Sequence, residues 1–320
     1  LKSKIVLVSP ASREANNGNR HTAQRWAKFL SEHCDIAVTQ QWNAAGQTPD
    51  AMIALHARRS APSIHAWAAQ HPRKPLIVVL TGTDLYRDIH LDADAQQSLR
   101  LATQLVVLQD AGLAELSQEL QYKARVIFQS APRLKPAVKS TQRFKALMVG
   151  HLRDEKDPLT FMQAARLSAG AVCFDQIGDA LDAALADAAR AAAAQLPHYH
   201  WLGGLPRPLT RQRIKRAHVL VNCSVMEGGA HVILEAVQSG TPVLASRISG
   251  NVGMLGADYA GYFEVGDAAA LAALVKRCAT EPAFLAQLQN QCALRAELFE
   301  PAVEKHHVLR LLASVIKESP

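Results

Sequence analysis

The chain has 320 residues, enough for two domains of ordinary size, and its 49% hydrophobic and 20% charged content is that of a globular protein rather than a disordered one. Lys and Arg number 35 against 28 Asp and Glu, and the formal charge of +7 suits anionic ligands, nucleic acid or an acidic membrane surface about equally. Aromatics are 5%, with neither an aromatic RNA-binding strand nor a Lys/Arg block, so nucleic acid is not an expected partner.

No apolar run approaches the roughly 18 residues of a membrane span, and "KIVLVS" begins at once with no signal-peptide pattern. The cysteines (Cys34, Cys173, Cys223, Cys278, Cys292) are odd in number and scattered, without a C-x-x-C pair. This reads as a cytoplasmic protein in a reducing compartment, with no metal site, no cofactor and no membrane contact expected. The oligomeric state is not legible.

Short apolar runs recur in chain order. The first half carries 4–9, 35–40, 51–55, 76–80, 104–108 and 125–129; the second carries 145–150, 171–178, 198–203, 218–223, 241–246 and 261–265. Strands apolar on both faces and alternating with helices signal parallel sheets covered on both sides. The rhythm appears twice, which predicts an α/β protein of two doubly wound, Rossmann-like domains. Residues 1–135 form the first domain and 142–300 the second, with the Pro- and Lys-bearing 130–141 as linker. A last helix over about 302–317, in a tail 301–320, is expected to pack on a domain, crossing back to the first. The helix 20–33 places Ala23, Trp26, Ala27 and Leu30 on one face, read as core-facing rather than membrane-surface.

Ligands of open parallel sheets bind beyond the carboxyl ends of the strands. In the first domain the loops there are "PASREANNGNRHT", "HARRS" and "TGTD". They offer Asn17, Gly18, Asn19, Arg20, His21, His56, Arg58, Arg59, Thr81, Gly82, Thr83 and Asp84, a set of donors and cations suited to a small anionic ligand. The first loop is neither G-x-G-x-x-G nor a Walker sequence. In the second domain "VGHLRDEKDP" brings Gly150, His151, Arg153 and Lys156 to a helix start, a place for phosphate oxygens.

"MEGGAHVILEA" holds Glu227 and Glu235 eight positions apart, with Glu227 in a loop and Glu235 inside a helix. Eight helical steps separate them by about 12 Å, too far for a close acid/base dyad. Each suits sugar hydroxyls, which seek strong acceptors, while Gly228 and Gly229 expose backbone N–H groups.

With these residues in place the chain resembles the family-4 glycosyltransferases of GT-B architecture. That family's G-R-L-x-x-E-K-G, E-x7-E and G-x-P-V appear here, in order, as G-H-L-R-D-E-K-D, Glu227-x7-Glu235 and Gly240-Thr-Pro242-Val243. The resemblance implies two domains facing a cleft, with donor binding by the second and acceptor binding by the first. By carry-over, Lys156 grips the donor diphosphate, Glu235 the ribose hydroxyls, and Glu227 with the Gly228, Gly229, Ala230 and His231 backbone the donor sugar. Leu202, Gly203 and Leu205 flank the base. The family's Arg is His151 here, and Arg153, two residues on, is expected to substitute for it; Glu227, Arg153 and Lys156 are the expected catalytic set.

Across the first domain "NNGNRHTAQRW", "ALHARRSA", "LTGTDLYRDI" and "VIFQSAP" are similar to the selenosugar synthases of selenoneine biosynthesis. Those join a UDP-sugar of the glucose or N-acetylglucosamine type to selenophosphate through a carbon–selenium bond, which implies these two small-molecule substrates. The alternative is a family-4 enzyme with a hydroxyl acceptor, sugar or lipid, at the membrane surface.

Overall fold

The computed structural model describes residues 2–10, 18–43, 48–168, 170 and 172–317. Asn17 and the rest of 11–17 lie outside them. By contacts the chain divides into two units, one of Leu1–Gln129 with Glu227–Gly229 and Pro301–Pro320, the other of Ser130–Met226 with Ala230–Glu300.

The first unit carries six strands: β1 (Ser3–Val8), β2 (Cys34–Thr39), β3 (Ala51–Leu55), β4 (Leu76–Val79), β5 (Gln104–Val107) and β6 (Ala124–Val126). They are paired in parallel in the order β2-β1-β3-β4-β5-β6. The second carries β7 (Phe144–Val149), β8 (Val172–Ile177), β9 (Tyr199–Trp201), β10 (Val219–Asn222), β11 (Val243–Ser246) and β12 (Tyr262–Phe263). These pair in parallel in the order β12-β11-β10-β7-β8-β9. Strand order reverses between β1 and β3 in one sheet and between β7 and β10 in the other. Connections there leave on opposite faces and open a crevice beyond the carboxyl ends. All twelve expected strands form.

Alternation along β3 shows why both faces are core. Met52 and Ala54 join a cluster with Trp42, Ile64, Trp67 and Val78. Ala51, Ile53 and Leu55 join another with Ile5, Leu7, Trp26 and Leu30. Helix Gly18–Leu30 buries Thr22, Ala23, Trp26 and Leu30, so its apolar face belongs to the core. Helix Pro301–Lys317 adds Val308, Leu311, Leu312 and Val315 to the same cluster. Each such side chain contributes about 1.5–3 kcal/mol by leaving water. The buried Glu304 carboxylate accepts from Arg25 Nε (2.6 Å), Arg25 Nη2 (3.0 Å) and Trp26 Nε1 (2.8 Å). A buried charge satisfied in this way is tolerated.

The stretch 130–141 contains no helix or strand, yet it is fastened rather than loose. Leu134 N–H donates to Gln238 O (2.9 Å). The Lys139 ammonium donates to Lys215 O (2.8 Å), Ala217 O (2.6 Å) and Thr241 Oγ1 (2.9 Å). Composition predicted a linker because it does not reveal where a lysine finds its acceptors. The change of unit accordingly falls between Gln129 and Ser130.

Candidate functional site

In the second unit the turns after β7, β8 and β9 are stacked through glycine. Gly150 N–H donates to Ile177 O (2.8 Å) and Gly178 N–H to Gly203 O (2.9 Å). A methyl group on Gly178 would stand 1.9 Å from Gly150 O, so only glycine allows the two turns to meet. Lys156, at the end of the 3-10 turn Asp154–Lys156, lays its aliphatic stem over Gly150, with Cγ 3.3 Å from where a Cβ there would sit. Asp157 follows in the left-handed region (φ 44°) and caps helix Pro158–Leu167 through Thr160 N–H (3.2 Å).

His151 and Arg153 part company. The His151 Nδ1 accepts from Asp179 N–H (3.1 Å), which places the imidazole over the β8 turn. Arg153 is exposed, with Nε 3.8 Å from Glu155 Oε2. Leu202, Gly203 and Leu205 are half-buried in the turn after β9.

Glu235 lies in helix His231–Val237, nearly buried, and is already held. Its Oε1 accepts from Arg207 Nε and pairs with Arg207 Nη2, both at 2.9 Å, with Arg211 Nε at 3.9 Å. Burial lowers the Arg211 pKa and Glu235 opposes that. Arg207 and Arg211 are absent from the sequence-based site. Their i,i+4 spacing in helix Arg207–Arg216 is the signal that both share a face.

The expectation that backbone from Gly228 to His231 faces a sugar is corrected at one position. The buried Ala230 donates its N–H to Met254 Sδ (3.0 Å), which leaves that group no free proton to offer. Glu227 is buried and belongs with Gly228 and Gly229 to the first unit. There Gly228 packs on Thr81 and Gly82: an added Cβ would lie 2.5 Å from the Thr81 carbonyl carbon and oxygen. Gly229 packs on Leu108, whose Cβ would be 2.9 Å away.

In the first unit Gly18, Asn19 and Arg20 open the helix that follows β1, on the same sheet edge as the loops after β3 and β4. Those two loops are joined by Asp84, which is fully buried. Its Oδ2 accepts from Ala57 N–H (2.9 Å) and its Oδ1 from Thr81 N–H (2.9 Å) and Gly82 N–H (2.9 Å). Asp84 was expected to contact a ligand; with its carboxylate consumed by backbone donors it instead sets the shape of both loops.

His56 sits beside this clamp in the left-handed region (φ 71°), 2% exposed. Its Nδ1 accepts from Arg59 N–H (3.3 Å), which leaves Nε2 to donate to Thr83 Oγ1 (3.1 Å). Burial lowers its pKa, partly opposed by Asp84 and Asp88 and reinforced by Arg59 and Arg58, so the ring is neutral. Arg58 Nε donates to Asp88 Oδ2 (2.9 Å) and Arg87 Nε to Asp88 Oδ1 (3.1 Å). Arg59 is exposed and forms no ion pair among the described residues. The structure thus joins His56, Arg58, Arg59, Thr81, Gly82, Thr83 and Asp84 in one network.

Two doubly wound parallel sheets, each with its ligand-type loops at the carboxyl edge of a switch point, define the GT-B class of fold. Residues 132–297 match the family "Glycosyl transferases group 1", and the chain belongs to it. Solved structures share the fold. HepE from Anabaena, in complex with UDP and glucose, is 15% identical, covering 98% of this chain and 100% of its own with a TM-score of 0.77. Sucrose-phosphate synthase from Thermosynechococcus elongatus is also 15% identical, covering 99% and 100% with a TM-score of 0.79. A glycosyltransferase from Rickettsia africae is 14% identical, covering 99% and 100% with a TM-score of 0.75. No curated protein sequence matches the chain significantly. Among the described residues no helix is long and apolar enough to cross a membrane.

Proposed function

We propose that this glycosyltransferase moves a hexosyl group, of the glucose or N-acetylglucosamine type, from a UDP-sugar to selenophosphate. The bond from the anomeric carbon to the UDP oxygen breaks, UDP leaves with the electron pair, and selenium forms the new bond to that carbon. The donor assignment is supported by family membership and by the HepE complexes with UDP and with UDP-glucose. Lys156 and Arg153 take the diphosphate charge, in place of a metal ion, and Glu235 the ribose hydroxyls. Glu227 and the Gly228 and Gly229 backbone orient the sugar.

The observation that carries the acceptor is the state of Asp84 and Asp88. Asp84 is consumed by three backbone donors and Asp88 by Arg58 and Arg87, while His56 has both ring nitrogens engaged. A hydroxyl acceptor benefits from a general base, and these groups are poorly placed to serve as one. An already anionic selenium needs none. It needs cations, and Arg59, whose backbone N–H holds the His56 ring that reaches Thr83, is exposed. The five free, buried cysteines fit a reducing cytoplasm.

The test is UDP release from several UDP-sugars with and without selenophosphate, with mass detection of the product. Selenophosphate-dependent UDP release and a selenium-containing sugar are expected. UDP release that ignores selenophosphate but responds to a sugar or lipid alcohol overturns the acceptor assignment and leaves the family intact.

A further inference from the structure

Away from the nucleotide-sugar machinery, the second sheet brings three metal-binding side chains to one point. Cys173 and Asp175 are two apart on β8 and so project from the same face, and Asp175 stands in register with His200 on β9. Their ligand atoms form a triangle: Cys173 Sγ to Asp175 Oδ1 is 3.3 Å, Cys173 Sγ to His200 Nδ1 3.4 Å, and His200 Nδ1 to Asp175 Oδ1 3.0 Å. Within the described residues this is the one group of His, Cys, Asp and Glu whose ligand atoms converge in this way. We propose that Cys173, Asp175 and His200 form a binding site for a borderline divalent transition-metal ion of the zinc class.

Ligands bound at about 2.0–2.3 Å in a tetrahedron stand roughly 3.3–3.7 Å from one another, so the triangle needs only a few tenths of an ångström of expansion to accept an ion at its centre. Thiolate, imidazole and carboxylate together select zinc-like ions over magnesium or calcium, which take oxygen ligands. Cys173 and Asp175 are nearly buried on a strand inside the sheet, whereas His200 is half-exposed on an edge strand, which gives the ion a path and leaves room for a water as fourth ligand.

On binding, the Cys173 proton leaves to solvent and the sulfur becomes a metal-bound thiolate, with no change of oxidation state. Lys145 stands in register with Cys173 on the neighbouring strand β7. Cys173 lies four residues before the end of β8 and Asp175 two, about 13 and 7 Å along the strand.

The experiment titrates metal-stripped full-length protein with Co²⁺ and then displaces it with Zn²⁺. One equivalent is expected to bind with a thiolate-to-cobalt charge-transfer band, which Zn²⁺ abolishes. Cys173→Ser removes the band, and His200→Ala, at a half-exposed position where folding is least at risk, weakens binding by more than the roughly 10–100-fold typical of outer-shell partners. Thermal unfolding of each metal-free variant reports whether it is folded. A folded wild type that gives no band, or a band that survives both substitutions, overturns the site.

Discussion

Arg207 grips Glu235 with both Nε and Nη2 at 2.9 Å from the same carboxylate oxygen, so a glutamate assigned to ribose hydroxyls is neutralised before any ligand arrives. Removing one partner of a nearly buried pair strands the other. Arg207→Ala should lower stability by about 1–2 kcal/mol, less than a fully buried pair because the arginine is one-third exposed. Glu235→Gln in that background should restore much of the loss, since the amide needs no counter-charge. Equilibrium urea unfolding of the four proteins in this cycle measures it; strict additivity would show that the pair is uncoupled.

Gly228 tolerates no side chain. With Thr81 carbonyl atoms 2.5 Å from the place of a Cβ, Gly228→Ala must displace the first unit's β4 loop. Transfer activity is expected to fall at least about 100-fold, the scale of an ångström-level misplacement. Gly18→Ala, with nothing within 4 Å, should leave the melting temperature close to wild type.

Asp84 is the mechanical link between two loops, and its loss should show as such. Asp84→Ala leaves Ala57, Thr81 and Gly82 N–H without their acceptor, at about 1–3 kcal/mol for each group that stays dry. Hydrogen exchange is expected to rise at 56–60 and 81–84 together. A rise confined to one loop would disprove the clamp.

His56 makes stability depend on pH. Its pKa is lowered in the fold, so between its folded value and the unfolded value near 6.5 the unfolded chain binds more protons than the native one. Stability therefore rises with pH through that window, is lost on acidification through it, and below it no longer depends on this group. His56→Asn, a residue that accepts a positive φ, should flatten part of the slope in melting temperature between pH 7 and pH 5. His218 and His307, whose pKa values burial also lowers, contribute slope of the same sign.

Chelation separates two roles for metal. If Lys156 and Arg153 hold the donor diphosphate, EDTA treatment leaves initial rates unchanged while it empties the Cys173–Asp175–His200 site. Rates that collapse and recover only with added Mg²⁺ or Mn²⁺ would reassign the diphosphate to a metal.

The strands were legible because a parallel strand covered on both faces reads as an unbroken apolar run. Three stop two or three residues sooner than their runs. β6, β9 and β12 span Ala124–Val126, Tyr199–Trp201 and Tyr262–Phe263, where the runs extend over 125–129, 198–203 and 261–265. Each lies at a sheet edge and pairs on one side, although β2, also an edge strand, keeps six paired residues. Site residues were legible by type but not by direction. An aspartate two or three residues after a turn commonly turns back onto its own backbone, and in "TGTD" Asp84 does so. The Cys173–Asp175–His200 convergence depends on the register of β8 with β9, which the spacing of one chain does not contain.

The helix Pro301–Lys317 completes a core whose other members are almost all within the first 129 residues. The unit Ser130–Met226 with Ala230–Glu300 is therefore, in chain topology, an insertion between the body of the first unit and its closing helix. During synthesis the inserted unit has all its own residues first, while the earlier-made one waits for Val308, Leu311, Leu312 and Val315. Those four side chains are thus the last members of that core to be synthesised.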